Sequence, residues 1–424
     1  MTEAALSYPL TRARLDNGLQ VVVAPDAAAP GVAVNLWVDV GSADEQPGRT
    51  GFAHLFEHLM FQGSANVASG EHMATVEALG GTVNATTSSD RTNYFETVPR
   101  GALELALWLE SDRFSSLAIT AENFEAQRQV VKEEKRQRYD NQPYGDLLEL
   151  LTAQHFPPEH PYGHLTIGAM ADLDDASLDD VAAFFDTWYR PANIRLVLCG
   201  PVTGDEGVAL AERYLGGLPA RPGRAPRDVP DPPPGPPTVV SVTRDVPHPL
   251  TYLSWATPPA AHPDQPAIDL ALAILADGNT SRLHRRLVRH GDLANEAHSA
   301  SLTHRSTRSV AALLARPVEG VPLPRLSDAV LDEVARFADE GPTDEELARA
   351  IAQYEREWLW ELATTAGRAD AINEAWLLHG DPGQVNHHLA DVLALDAGAV
   401  AAAAGRWLAP ASAHQLHYHA EAAA

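Results

Sequence analysis

Apolar and polar residues alternate along Gly31–Val40 and again along Asn193–Cys199. That period of two is the mark of a strand. Between them, Ala102–Arg113 repeats its apolar positions every three to four residues, as a helix with one buried face does. Both signatures return later: Leu250–Trp255 reads as a strand and Ala267–Ala276 as a helix. Thr343-x-x-Glu346 has the form of a capping box and predicts a long charged helix running through Trp360. A similar long charged helix opens at Thr120.

One break interrupts this pattern. Leu218–Pro237 contains nine prolines. Proline fixes φ and has no N–H, so the segment can be neither helix nor central strand and reads as an extended spacer. The expected organisation is therefore 1–217, a linker over 218–237, and 238–424. Each half mixes strand and helix, and each holds a long charged helix, which hints at an ancient duplication.

Composition narrows the picture. A chain of 424 residues suits two or three domains. The single cysteine, Cys199, excludes an internal disulfide and fits a reducing compartment. The first thirty residues lack a basic start followed by an apolar run, and no apolar stretch reaches spanning length. A cytoplasmic protein with no membrane segment is expected. The net charge of -26 comes from 31 basic and 57 acidic residues, which argues against a nucleic-acid partner. The simplest reading of that charge is a solvated acidic surface, although it would also attract basic peptides at long range.

The candidate chemistry lies in His54-Leu55-Phe56-Glu57-His58. Histidines four apart on a helix share a face, so two imidazoles can reach one metal ion. Glu57 lies beside that face and can hold a water there. This H-x-x-E-H order inverts the commoner H-E-x-x-H zinc motif and predicts metal-assisted hydrolysis. The apolar flanks Gly51–Ala53 and Leu59–Phe61 imply a buried helix, on which such polar groups need partners.

Catalytic zinc usually takes three protein ligands. The third is sought in Gln129–Arg136, where Glu133 and Glu134 compete. At about 100° per residue, with Val130 at zero, Val131 lies near 100° and Glu134 near 40°. Glu133 falls near 300°, outside the apolar arc. Helix phase thus ranks Glu134 first and leaves Glu133 with the charged face.

Taken together, His54-x-x-Glu57-His58 and the distant Glu134 resemble the inverzincin zinc metallopeptidases of the pitrilysin, insulin-degrading enzyme and mitochondrial processing peptidase type. Leu15–Val22 is similar to that family's first strand. Gly80–Thr87 followed by Asp90–Phe95 resembles its substrate-binding edge strand and the strand after it. Asp140–Gly145 and His160–Gly163 resemble segments downstream of the third ligand. The similarity is strong over roughly residues 10–200 and weaker beyond. It implies an α+β fold: two similar domains, each an antiparallel sheet covered by helices, with metal in the first only. It implies Zn2+ held by His54, His58 and Glu134, with Glu57 as general base. It implies that Asn84, Ala85 and Thr86 pair with an extended peptide substrate.

Two departures stand out. Some relatives carry an acidic residue where this chain has Gln127. Several place an Arg and a Tyr seven residues apart in the second half, to hold the substrate carbonyl; the matching positions here are Val288 and Asn295. A zinc endopeptidase acting as the catalytic subunit of a heterodimer is therefore expected, beside a homologous subunit lacking the zinc motif. A self-sufficient homodimer, a scaffold subunit and a hydrolase of small amides or esters are the alternatives.

Overall fold

In the computed structural model, residues 6–223, 229–233 and 235–421 are described. Pro226 and Pro234 of the linker, and the last three alanines of the tail, lie outside them.

The first sheet contains β1 (Thr11–Arg14), β2 (Gln20–Pro25), β3 (Gly31–Val38), β4 (Thr82–Thr87), β5 (Thr92–Pro99) and β6 (Ile194–Gly200). Their order is β1-β2-β6-β3-β5-β4. Only β2 and β6 pair in parallel. The second sheet contains β7 (Val239–Arg244), β8 (Leu250–Thr257), β9 (Ala294–Leu302), β10 (Ser309–Pro317) and β11 (His414–Ala420), in the order β7-β11-β8-β10-β9. Here only β7 and β11 are parallel. With β1 set aside, the two sheets share one topology: first strand, last, second, fourth, third. The two halves thus share a strand order, in keeping with the similar folds expected of them.

Four helices of the first half matter below: α1 (Phe52–Leu59), α2 (Glu71–Ala78), α3 (Leu103–Ser116) and α4 (Ala121–Lys135). Thr120 caps α4, its hydroxyl accepting from the Asn123 amide at 3.2 Å. Thr343 and Glu346 form the expected reciprocal box at 3.0 and 3.2 Å, opening the helix Asp344–Leu362.

The compact units are not the linear halves. One comprises residues up to 136, 164–223 and Trp358–His388; the other takes Gln137–Gly163, the region from 229 to Glu357, and Leu389 onward. The alternation in β3 suggests a strand wet on one face, yet all eight of its residues are buried. The helix Thr365–His379 covers the second face. Its Ala369, Ile372, Ala375 and Trp376 pack with Val22, Ala24, Ala33, Val197 and Cys199. Polar positions on that face are paired. Asp370 Oδ1 accepts from Asn35 Nδ2 (3.1 Å), Trp37 Nε1 (3.2 Å) and Asn93 Nδ2 (3.2 Å).

Gln137–Gly163 belongs to the second unit for a similar reason. Leu151 packs with Leu250, Tyr252, Leu416 and Tyr418. Asp146 accepts from Arg244 at 2.8 Å and from the Tyr418 hydroxyl at 2.7 Å. The core of this unit joins Leu253, Trp255, Ile268, Leu275, Leu313, Val334 and Phe337.

Candidate metal centre

Helix α1 is two-faced. Phe52, Ala53, Leu55, Phe56 and Leu59 are buried. Phe56 sits against the rings of Phe184, Phe185 and Tyr189, with centroids at 5.5, 5.7 and 4.4 Å. His54 and His58 leave the helix on another face, one turn apart, with ring centroids 4.8 Å apart at 81°.

Helix α4 packs against α1. It brings Glu134 Oε2 to 3.6 Å from His54 Nε2 and 3.4 Å from His58 Nε2. One donor atom from each of the three residues lies within 4.8 Å of the others. All three side chains are mostly shielded, at 12%, 23% and 17% exposure. Two imidazole nitrogens and a carboxylate oxygen are the donor types zinc takes, at about 2.0–2.2 Å. Tetrahedral bonds of that length put donors about 3.4 Å apart, so the separations match the edges of a coordination shell. The donor set fits a zinc ion. Glu133 points elsewhere: its side chain is 53% exposed and it pairs with Arg136 at 3.1 Å.

Glu57, on the same helix, has Oε2 accepting from the Thr87 hydroxyl at 2.5 Å. Thr87 ends β4, the edge strand of its sheet. Asn84 and Ala85 lie along that edge, where Ala85 is buried and its amide donates to the Asn84 side-chain oxygen at 2.9 Å. Thr86 is already engaged: its amide donates to Asn93 Oδ1 at 3.1 Å, and its carbonyl accepts from Arg91 at 3.0 Å. In the second unit, Val288 packs against the core and Asn295 Nδ2 donates to the Pro317 carbonyl at 2.9 Å.

The sequence reading missed Thr87, Glu45 and the role of His164. Helix α1 begins at Gly51, which holds φ +88° and has no side chain to cap the first turn. Free N–H groups at a helix start need acceptors from elsewhere. Glu45 supplies them: Oε2 accepts from the Gly51 amide at 2.9 Å and Oε1 from the Ala53 amide at 2.7 Å. His164 Nε2 lies 2.9 Å from Glu45 Oε2. Burial pushes the Glu45 carboxyl upward, opposed by His164 and the two amides. An uncapped glycine start was the sequence signal for such a group.

A second cluster of potential donors, His72, Glu96 and Glu110, is wholly buried. Arg113 holds Glu110 through two hydrogen bonds, of 2.8 and 2.5 Å. Its guanidinium also faces the Phe61 and Tyr94 rings at 4.9 and 4.6 Å. Neither carboxylate oxygen of Glu96 receives a hydrogen bond. Desolvation raises Glu96 to about 7 and lowers His72 to about 4. The group is a core network held near neutrality.

Two family models match the chain: "Insulinase (Peptidase family M16)" over residues 20–165 and "Peptidase M16 inactive domain" over 175–354. The zinc protease PqqE of Helicobacter pylori is 33% identical over 297 residues, covering 68% of this chain and 66% of that one, so the match spans just under two thirds of the relative. An uncharacterized zinc protease of Mycobacterium leprae is 30% identical over 300 residues, covering 70% and 67%. The crystal structure of a protease from Helicobacter pylori superposes with a TM-score of 0.90 at 26% identity, covering 98% of this chain and all of that one.

Proposed function

The chain belongs to the M16, insulinase-type peptidase family, and from that premise we propose that it is a zinc-dependent endopeptidase acting on extended or unfolded peptides. When bound, zinc would supply Lewis acidity, polarising a scissile carbonyl and making a water easier to deprotonate. His54, His58 and Glu134 are the residues that would hold it. Glu57 takes the water's proton and passes it to the leaving amine. The Thr87 hydroxyl keeps the Glu57 carboxylate in one orientation. Asn84 and Ala85 lie on the edge strand, where an extended peptide can pair as an added strand once the Ala85 amide leaves the Asn84 side chain. A folded substrate has no free strand to offer there.

The observation that carries this reading is the convergence of three zinc-type donors, two of them on the short helix that also carries the Glu57 carboxylate. Glu57→Gln tests it. The variant should keep its zinc and lose peptidase activity by about 10²–10⁴-fold or more. Near-normal turnover would refute the mechanism.

We further propose that the chain is the zinc-bearing member of a pair with a homologous chain lacking the motif. Helix Gln265–Ala276 occupies, between β8 and β9, the place that α1 holds between β3 and β4, and it carries no histidine. Val288 and Asn295 supply neither an Arg nor a Tyr. The purified chain should then cleave peptides weakly until the partner is added. Full activity from a symmetric dimer would overturn the pairing.

A further inference from the structure

The start of helix α1 is gripped from two sides. Glu45, whose side chain has no solvent exposure, bonds the Gly51 and Ala53 amides and the His164 ring together. Residues just after His164 reinforce the grip. Asp172 accepts from the Thr50 amide at 2.9 Å and the Thr50 hydroxyl at 2.6 Å, and Thr50 Oγ1 accepts from the Ala169 amide at 2.9 Å. The backbones at Gly51 and Gly168 approach so closely that a Cβ on Gly168 would stand 2.4 Å from the Gly51 Cα. Ala53 directly precedes His54, so the carboxylate ends one residue from the first donor of the metal set. The helix has only eight residues. A shift of its first turn therefore moves His54, Glu57 and His58 together.

We propose that Glu45 and His164 are positioning residues for the metal centre: the carboxylate replaces the missing N-cap of α1, and the His164 ring holds the carboxylate in place. They act through the helix backbone, as outer partners of metal ligands do. Three donors converge on Glu45. A glutamine there offers one acceptor and turns an NH2 group toward N–H donors, so Glu45→Gln breaks the arrangement without changing size.

The test uses zinc affinity of the full chain, read by competition with a chromogenic chelator, beside peptidase kinetics. The kinetic arm rests on the peptidase reading; the affinity arm does not. Glu45→Gln and His164→Ala should each weaken zinc binding by about 10–100-fold and lower kcat with KM unchanged. His164→Gln, whose side-chain amide can donate toward Glu45, should restore most of both. If Glu45→Gln does not fold, the two His164 variants decide alone. Unchanged affinity and kcat in His164→Ala would overturn the proposal. So would His164→Gln being as damaging as alanine, because that would make the contact one of packing. A zinc-affinity loss in a chain whose parent cleaves no peptide would support the positioning role and sink the peptidase reading instead.

Discussion

Replacing Glu134 should separate the metal centre from the charged helix that carries it. Glu134 Oε2 stands 3.4 and 3.6 Å from two imidazole nitrogens. It would supply one ligand of three, and the only negative charge among them. Zinc sites with four protein ligands bind with about 10–16 kcal/mol near neutral pH, or about 2.5–4 kcal/mol per ligand on an even split. At 1.4 kcal/mol per tenfold change, Glu134→Ala should weaken zinc by about 10²–10³-fold. Glu134→Gln keeps an oxygen but loses the charge, and should fall short of that. Glu133 is the internal control. It differs by one residue, is half exposed, and pairs with Arg136 at i,i+3. Exposed pairs of this kind contribute at most about 1 kcal/mol to stability. Glu133→Ala should therefore bind zinc within about threefold of the parent. The assay is chelator competition at fixed pH, with a thermal melt of each zinc-free variant to show that folding is intact. Zinc loss in the Glu133 variant with retention in the Glu134 variants would refute the assignment. Equal retention in both would remove Glu134 from the donor set altogether.

Two further outcomes follow from the first unit. Asp370→Ala leaves the Asn35, Trp37 and Asn93 donors, each nearly fully buried, without their acceptor. At about 1–3 kcal/mol per stranded group, urea unfolding should show a loss of about 3 kcal/mol or more, with Asp370→Asn milder; a loss under about 1 kcal/mol would mean that the three bonds to Asp370 contribute little to holding the helix. The Glu96 carboxyl, raised to about 7 by burial beside His72, Glu110, Arg113 and Tyr94, titrates above its ordinary 4.5. A raised carboxyl contributes stability that is full below pH 4.5 and is lost as pH rises through about 7. Glu96→Gln, which mimics the protonated form, should therefore match the parent near pH 4.5 and gain on it toward pH 8, by on the order of 1–3 kcal/mol. A stability difference that does not change with pH would show that Glu96 is ionised throughout that range.

Much of the local structure was legible in the sequence because local rules produce it. The period-2 runs became β3, β6 and β8, the capping box at Thr343 opened one long helix, and the other opened at Thr120. The two histidines share a face because helix geometry alone requires it. Helix phase ranked Glu134 above Glu133 because neighbouring residues on a helix point about 100° apart, but the arc was drawn from Val130, which is exposed, whereas Val131 is buried.

Other features depend on contacts between distant segments, which no local pattern records. The period of β3 cannot say whether its second face meets water or another helix; the answer came from Thr365–His379, more than three hundred residues downstream. Proline content marks where the chain is stiff, but not where its cores close, so the compact units exchanged Gln137–Gly163 and Trp358–His388 across the expected boundary. His417 shows the same limit: no local pattern tells that β11 lies between β7 and β8, with the ring buried against Ser327 at 3.0 Å. Glu45, Thr87 and His164 come from three separate stretches, and only folding brings them against one short helix. The sequence by itself determined which residues could bind a metal, because ligand chemistry and helical spacing are local. The tertiary structure decided what holds those residues still, because a buried polar group must find its partner wherever the fold places one.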